Sequence, residues 1–502
     1  MMSYEETLDY LYASTPAFHQ VGAAAYKPGL ENTLRLMAHL NNPHRRFKSV
    51  HVAGTNGKGS TSHLLAAVLQ QAGYKTGLYT SPHLVDFRER IRIDGQMIPE
   101  EEVAGFVETH RAFLEAVRPS FFETAMSMAF DWFAHEQVDI AVVETGLGGR
   151  LDSTNVITPE VSIITNIGLD HTEFLGTTLA QIAGEKAGII KAGVPVVAGE
   201  WQAETAPVFE RKAAETGSPL VYAGGGRERS ASNKGNDIGI TYESHTNHIR
   251  ITRESPANHP LKTACLGELG ELVDLGELVD LGELKELEEL KELEELKELC
   301  ELKGSYQEKN IQTVVAAVGV LRQRGWRISE DAVRSGLAGV CRLTGLRGRW
   351  ETLRESGPRV ICDTGHNSHG IRYVAEMLRE MTGEGRPPFD SPTSPQFPNP
   401  PSVPPQGEGT VRMVFGMVAD KDVETVMELL PKDAVYYFTQ AQTHRAIKAE
   451  EMRRLGERCG LQGRAYGSVK EAVEAAMNDA AAEDTVFIGG SNYVVGEALK
   501  MF

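Results

Sequence analysis

The 502-residue sequence has no apolar run near the roughly 18 residues that a membrane-crossing helix needs, which excludes such a segment. Its first residues, Met1-Met2-Ser3-Tyr4-Glu5-Glu6, are acidic where a secretory leader is basic and then apolar, so a cytoplasmic location is expected. Cysteine is scarce. Cys265, Cys300, Cys341, Cys362 and Cys459 form no C-x-x-C pair, and neither a disulfide framework nor a thiolate metal site is indicated. Basic excess is missing as well, since 51 Lys and Arg face 69 Asp and Glu for a net charge of −18. Fourteen of those acids and three lysines fall in residues 266–302, so a local −11 leaves only −7 for the remainder. Neither a nucleic-acid footprint nor attraction to an anionic membrane is supported. With 41% hydrophobic and 24% charged residues, the chain has ordinary soluble composition and length enough for two or three cores.

Strand-like apolar runs alternate with helical patterns at 50–53, 76–79, 139–143, 161–165 and 194–198. Such alternation predicts a parallel sheet with helices on both faces. A second set at 359–362, 411–415, 434–438 and 485–488 predicts another α/β domain. The expected fold class is α/β, with a larger parallel-sheet domain over 1–342 and a smaller Rossmann-like domain over 343–502. Ligands of open parallel sheets sit beyond the carboxyl ends of the strands, so two such edges facing each other would enclose a cleft.

Two segments interrupt this plan. Residues 386–405 hold nine prolines in twenty positions, which reads as an exposed loop, with a docking site for a proline-recognising partner as the alternative. From Leu266 to Leu302 a leucine occupies every third position, thirteen in all. A three-residue step turns about 300° on an α-helix, so successive leucines wrap around the rod and form no heptad seam. Glu, Leu and Lys favour helix in the second half, while Gly267, Gly270, Gly276 and Gly282 weaken the first. A protruding, partly helical insertion is expected, with self-association through it as the sharper alternative.

The richest stretch is Val52-Ala53-Gly54-Thr55-Asn56-Gly57-Lys58-Gly59-Ser60-Thr61, a glycine-rich loop between a predicted strand and a predicted helix. Backbone N–H groups at a helix start attract an anion, three glycines allow close approach, and Lys58 adds charge. Ser60 or Thr61 would add a hydroxyl near a metal. The ordinary pattern is G-x-x-x-x-G-K-[ST]; here Gly59 follows the lysine. Glu144 stands at a predicted strand tip before Thr145-Gly146-Leu147-Gly148-Gly149-Arg150, the place of an Mg²⁺-holding carboxylate opposite a P-loop. Ser81-Pro82-His83-Leu84 and Asp170-His171 follow strands of the same predicted sheet edge. Lys186 opens an apolar turn that would desolvate it and free its amine for modification, the alternative being a snorkelling surface lysine. In the second domain Asp363-Thr364-Gly365-His366-Asn367 follows a strand, and Arg347-Gly348-Arg349-Trp350 stands at the entrance. An Asp there suits a ribose and an Arg suits a transferring phosphoryl group; a plain turn with surface arginines is the bland reading.

Together with Tyr26-Lys27-Pro28-Gly29-Leu30, Asn166 to Gly176, Gly304-Ser305-Tyr306-Gln307 with Asn310, and Gly489-Gly490-Ser491, these motifs resemble the folylpolyglutamate synthase and dihydrofolate synthase family of the Mur ligase superfamily. The resemblance runs through almost the whole chain. It implies Mur ligase architecture and an ATP-dependent amide ligase that phosphorylates a pterin carboxylate and lets the α-amine of glutamate attack the acyl phosphate. By position, Gly54, Thr55, Asn56, Gly57, Lys58, Gly59, Ser60 and Thr61 would hold ATP, together with Arg349 and Asp363. Ser81, Glu144, His171 and a carbamylated Lys186 would hold two Mg²⁺ ions. Lys58, Lys186, His171 and Arg349 would carry catalysis. His366 and Ser491 match the incoming glutamate's site, and Phe122 and Asp152 the pterin side.

The implied partners are pterin or folate, glutamate and ATP, with no nucleic acid and no membrane, acting on a monomer. Asp363-Thr364-Gly365-His366-Asn367 departs in its two middle residues from the commoner Asp-Gly-Ala-His-Asn, while the polar groups persist. The leucine repeat falls just before Gly304 and could hamper closure of the domains. Two rivals stay open: a ligase of the same superfamily acting on a cell-wall precursor, and a non-catalytic interaction protein using the leucine-rich insertion.

Overall fold

Lys48–Ala53 (β1) is buried at every residue but the first, as a strand covered on both faces must be. The computed structural model describes residues 2–14, 29–223, 238–243, 248–253, 262–265, 291–382, 409–419 and 421–502. Around β1 lie Thr76–Tyr79 (β2), Ile91–Ile93 (β3), Gln96–Met97 (β4), Ile140–Glu144 (β5), Val161–Ile164 (β6), Val196–Ala198 (β7) and Leu220–Tyr222 (β8), in the order β4-β3-β2-β5-β1-β6-β7-β8. All neighbours from β2 to β8 pair in parallel. The edge differs from the all-parallel expectation, because β3 pairs antiparallel with both β2 and β4. Asp94 and Gly95 join β3 to β4 with φ of 47° and 77°, and a two-residue turn leaves no chain for a parallel crossover.

The helix Lys58–Gln71 continues from β1 and is buried on every side from Ser60 to Leu69. The sheet covers one flank; the helices Gln307–Gln323, Glu330–Ala338 and Val340–Thr344 cover the other. Leu64, Leu65, Val68 and Leu69 are wholly buried, and each such side chain contributes about 1.5–3 kcal/mol. This packing fixes the direction in which the helix start points.

The second sheet contains Glu351–Arg354 (β12), Arg359–Cys362 (β13), Val411–Phe415 (β14), Val435–Phe438 (β15), Gln462–Ala465 (β16) and Thr485–Gly489 (β17), numbered after the three strands named below. Its order is β12-β13-β17-β14-β15-β16, parallel except for β12 against β13. Phe415, Tyr436, Phe438 and Phe487 fill one face against the helix Ser368–Thr382 and its neighbours.

Residues 225–299 form a separate compact unit. In it Ile238–Glu243 (β9), His248–Arg253 (β10) and Lys262–Cys265 (β11) make an antiparallel sheet in the order β11-β10-β9. Of the leucine repeat, 266–290 lies outside the described residues; a helix runs over 291–299, in the half rich in Glu, Leu and Lys. The proline segment 386–405 and Tyr26 to Pro28 also lie outside the described residues. Among the described residues no helix is long and apolar enough to cross a membrane.

Candidate active site

The carboxyl ends of β1, β2, β5 and β6 and those of β13, β14 and β17 border one cavity of ≈ 470 Å³. Every residue given an ATP, metal, catalytic or substrate role from the sequence lines it, with the exception of Thr61. That side chain is fully buried, and its Oγ1 donates to Asn310 Oδ1 at 3.4 Å. One residue on from Ser60 an α-helix has turned by about 100°, so Thr61 faces the helix Gln307–Gln323 and not the cavity.

The loop between β1 and its helix is built on two glycines. A Cβ on Gly54 (φ 154°) would stand 1.8 Å from Thr165 Oγ1, and one on Gly57 (φ 80°) 2.3 Å from Asn310 Oδ1. Thr55 N–H donates to Asn166 O and Asn56 N–H to Asn166 Oδ1, both at 2.9 Å, which ties the loop to the end of β6. Gly57 caps the helix without a side-chain bond, leaving the first N–H groups for an anion. Lys58 Nζ donates to Gly54 O and Thr55 O, both at 3.0 Å, so its charge is folded over the loop.

Glu144 ends β5 beside Val52, and its Oε2 accepts Ser81 N–H at 3.0 Å. Burial raises its pKa against the pull of Lys58 and of the Ser81 N–H. His171 adopts a left-handed φ of 50°, unfavourable for a residue with a Cβ by about 1–3 kcal/mol. Burial lowers its pKa to about 3, so the imidazole is neutral. Lys186 is 4% exposed and donates to Gly54 O at 2.7 Å. Burial, with Lys58 nearby, lowers its pKa to about 7, so a large share of the amine is unprotonated at neutral pH.

Among the described residues no three His, Cys, Asp or Glu side chains are grouped to hold a metal. Glu144, Ser81 and a neutral His171 nevertheless fit a hard divalent ion, because Mg²⁺ is usually bound through one or two carboxylates together with substrate phosphates. Glu144 is a buried carboxylate with a single N–H donor, and a cation would relieve it.

Arg349 reaches from the second sheet's entrance to the first helix: a Cβ on Gly59 would lie 3.4 Å from its Nη2 and 3.9 Å from Glu144 Oε2. Its Nη1 donates to Gly348 O at 3.1 Å and to Thr364 Oγ1. The strap leading to it is fastened to the first helix, since His63 Nδ1 lies 2.8 Å from Thr344 Oγ1 in a buried pair. Asp363 is saturated, its Oδ2 accepting Trp350 N–H at 2.8 Å and Tyr306 OH, its Oδ1 accepting Gly365 N–H at 2.7 Å. His366 Nδ1 lies 3.0 Å from Thr364 O, and burial lowers its pKa to about 4. Ser491 Oγ caps the helix Asn492–Ala498 by accepting Val494 N–H at 3.2 Å.

Phe122 packs on the turn after β5, where a Cβ on Gly146 would touch its ring at 2.6 Å. Asp152 accepts the N–H groups of Gly146, Leu147 and Thr154 at 2.9, 2.8 and 3.0 Å, and the Thr154 hydroxyl. Its carboxylate is spent on shaping that turn.

Sequence reasoning missed several lining residues. Arg90 reads as part of a surface run, Arg88-Glu89-Arg90, yet it is 4% exposed and donates to His83 Nδ1 at 2.7 Å. Lys421 and His369 carry no motif; position after β14 was the one available signal for Lys421. Asn166 and Asp170, by contrast, were marked in the sequence at the end of β6, though without a role of their own.

Two family profiles match the chain, the Mur ligase middle domain over 52–268 and the Mur ligase, glutamate ligase domain over 402–492. The probable bifunctional folylpolyglutamate synthase/dihydropteroate synthase of Haloferax volcanii is 30% identical over 507 residues, and this chain, 99% covered, spans half of that protein's length. A bifunctional folylpolyglutamate synthase/dihydrofolate synthase solved with Mn, AMPPNP and L-glutamate has a TM-score of 0.69 and 25% identity, covering 100% of this chain and 98% of its own. The dihydrofolate synthase/folylpolyglutamate synthase of Escherichia coli is 31% identical over 455 residues, 90% of this chain and 85% of that protein. The chain belongs to the dihydrofolate synthase/folylpolyglutamate synthase family of Mur ligases.

Proposed function

We propose that this chain joins L-glutamate to the carboxylate of a pterin or folate substrate at the expense of ATP, through an acyl phosphate. One observation carries the reading: an anion-binding loop, a buried carboxylate, an acidified lysine and an arginine from the second sheet's entrance all border one cavity. The family and the AMPPNP, Mn and glutamate held by the related structure support ATP and a divalent metal as cofactors and small molecules as substrates.

In this reading the N–H groups of residues 57–60 and Lys58 take the triphosphate, and Arg349 neutralises charge on the transferred group. The substrate carboxylate oxygen bonds to the γ-phosphorus and ADP leaves; the glutamate amine then bonds to the acyl carbon and phosphate leaves. Two Mg²⁺ ions, near Ser81, Glu144, His171 and a carbamylated Lys186, would supply charge neutralisation between the anions. Lys186 suits that part because an unprotonated amine is what carbon dioxide adds to. His366 and Ser491 border the glutamate side; Phe122 offers the pterin a ring, and Asp152 holds the turn beneath it. A cavity walled by two sheets limits water that would hydrolyse the acyl phosphate. Division of the chain at 342/343, a monomeric state and a cytoplasmic location belong to the same proposal.

The test supplies ATP, Mg²⁺ and glutamate with dihydropteroate or with a reduced monoglutamyl folate, and follows ADP and product mass. Glutamylated product with either substrate is expected and would say which activity is present. Absence of product with both, alongside turnover of a UDP-linked cell-wall precursor, would replace this reading with its nearest rival. No glutamate-dependent ADP from any of them would favour a non-catalytic role.

A further inference from the structure

Lys421, just beyond β14, extends its ammonium to Asp170, beyond β6 in the other sheet, with Nζ 2.7 Å from Oδ1. Both side chains are nearly buried, at 9% and 13% exposure. Asp170 is gripped from several sides: Oδ1 also accepts His171 N–H at 2.9 Å, and Oδ2 accepts Asn367 Nδ2 at 3.1 Å. Asn367 continues the connection. Its Nδ2 donates to Asn56 Oδ1 at 2.9 Å, and Asn56 Nδ2 donates back to Asn367 Oδ1 at 3.2 Å. Asn56 belongs to the phosphate loop, and His171 holds a left-handed backbone that something must maintain. The carboxylate that sets the His171 turn is therefore shared with the second sheet.

We infer that Lys421 is a positioning residue for the ligation: by pairing with Asp170 it locks the second sheet onto the His171 turn and holds His171 in its working orientation. Resting on the ligase reading, this assigns Lys421 an effect on assembly of the site and no bond to a reacting atom. A buried ion pair broken on one side leaves its other charge stranded, so each half depends on the other. Substrates still bind to their own walls when the pair is broken, but the assembled state needed for chemistry becomes rarer, which lowers kcat more than it raises KM.

The experiment compares Lys421→Met, Asp170→Asn, the double variant and Lys421→Arg with the wild-type chain, measuring kcat, KM for ATP and glutamate, and amide hydrogen exchange through residues 168–175. The expected result is a loss of about tenfold or more in kcat for each single variant and KM values within about threefold. The double variant is no worse than the poorer single, since the two act as a unit. Lys421→Arg keeps more activity than Lys421→Met, and exchange through 168–175 speeds up in both single variants.

A rise of about tenfold in KM for glutamate with kcat retained in Lys421→Met, and Asp170→Asn unaffected, would make Lys421 a direct substrate contact and overturn the inference. Additive losses, or unchanged exchange, would overturn it as well. Lys421→Arg and Asp170→Asn preserve charge or shape and keep the test open should Lys421→Met fold poorly. Wild-type turnover tests the ligase reading separately, and the exchange data do not depend on turnover.

Discussion

Lys186 is a side chain at odds with its surroundings, a buried amine whose hydrogen-bond acceptor is the neutral carbonyl of Gly54. Its pKa is lowered to about 7 from an ordinary 10.5, first by burial and then by repulsion from Lys58, so the charged form is disfavoured where it sits. Lys186→Met removes the charge and keeps the bulk. It should raise the melting temperature by a few degrees and lower turnover by about a hundredfold or more, a trade of stability against activity. Scanning fluorimetry and ADP release check the two halves; a destabilised but active variant would contradict the account of the burial. His51 gives a cleaner dependence on pH. Burial lowers its pKa to about 3, with Nε2 2.8 Å from Thr154 Oγ1. An unfolded chain takes up that proton near pH 6.5, so between 6.5 and 3 the unfolded state binds more protons. Stability therefore falls as pH drops, by about 1.4 kcal/mol per unit from this group, and has no slope from it above 6.5. His51→Gln keeps a partner for Thr154 and should remove about one proton from that acid slope, read from urea midpoints between pH 6.5 and 4.5.

At the scale of elements, the first helix is held where it is by close approach. A Cβ on Gly336 would stand 2.7 Å from the backbone of Val68, so the helix Glu330–Ala338 lies directly against Lys58–Gln71. Gly336→Ala should force the two apart and cost about 1–3 kcal/mol, measured by urea denaturation. The buried strands were readable in the sequence because both faces are covered, which leaves mostly apolar runs such as Ile140–Glu144, apolar up to its terminal carboxylate, and Val411–Phe415, interrupted by Arg412 alone. Other strands were not: the half-exposed edge Gln462–Ala465 contains no apolar run, and Ile91–Ile93 with Gln96–Met97 is too short to show a period. The phosphate loop, Glu144 and Asp363 were legible because a local pattern marks the end of a strand. Arg90, Lys421 and the Asn56–Asn367 pair were not, since their meaning arises only when chain segments far apart meet.

For the molecule as a whole, the cavity-lining residues named above all lie outside 225–299, which is a compact unit of its own. Removal of 266–290 should leave ATP-dependent turnover within about threefold, because lengthening or shortening a long loop changes its closure entropy only slowly. Light scattering on a second variant lacking 266–302 tells whether the leucine repeat brings copies together; an unchanged mass would end that idea. The bond from His63 to Thr344 bears on how the molecule could breathe. It bolts the start of the strap to the most deeply packed rod of the first sheet. Any swing of the second sheet about that bolt displaces points in proportion to their distance from it, so Arg349, close to the axle, would keep its reach while the outlying rim travels further. Charge neutralisation would then persist while the doorway to the other reactants widens.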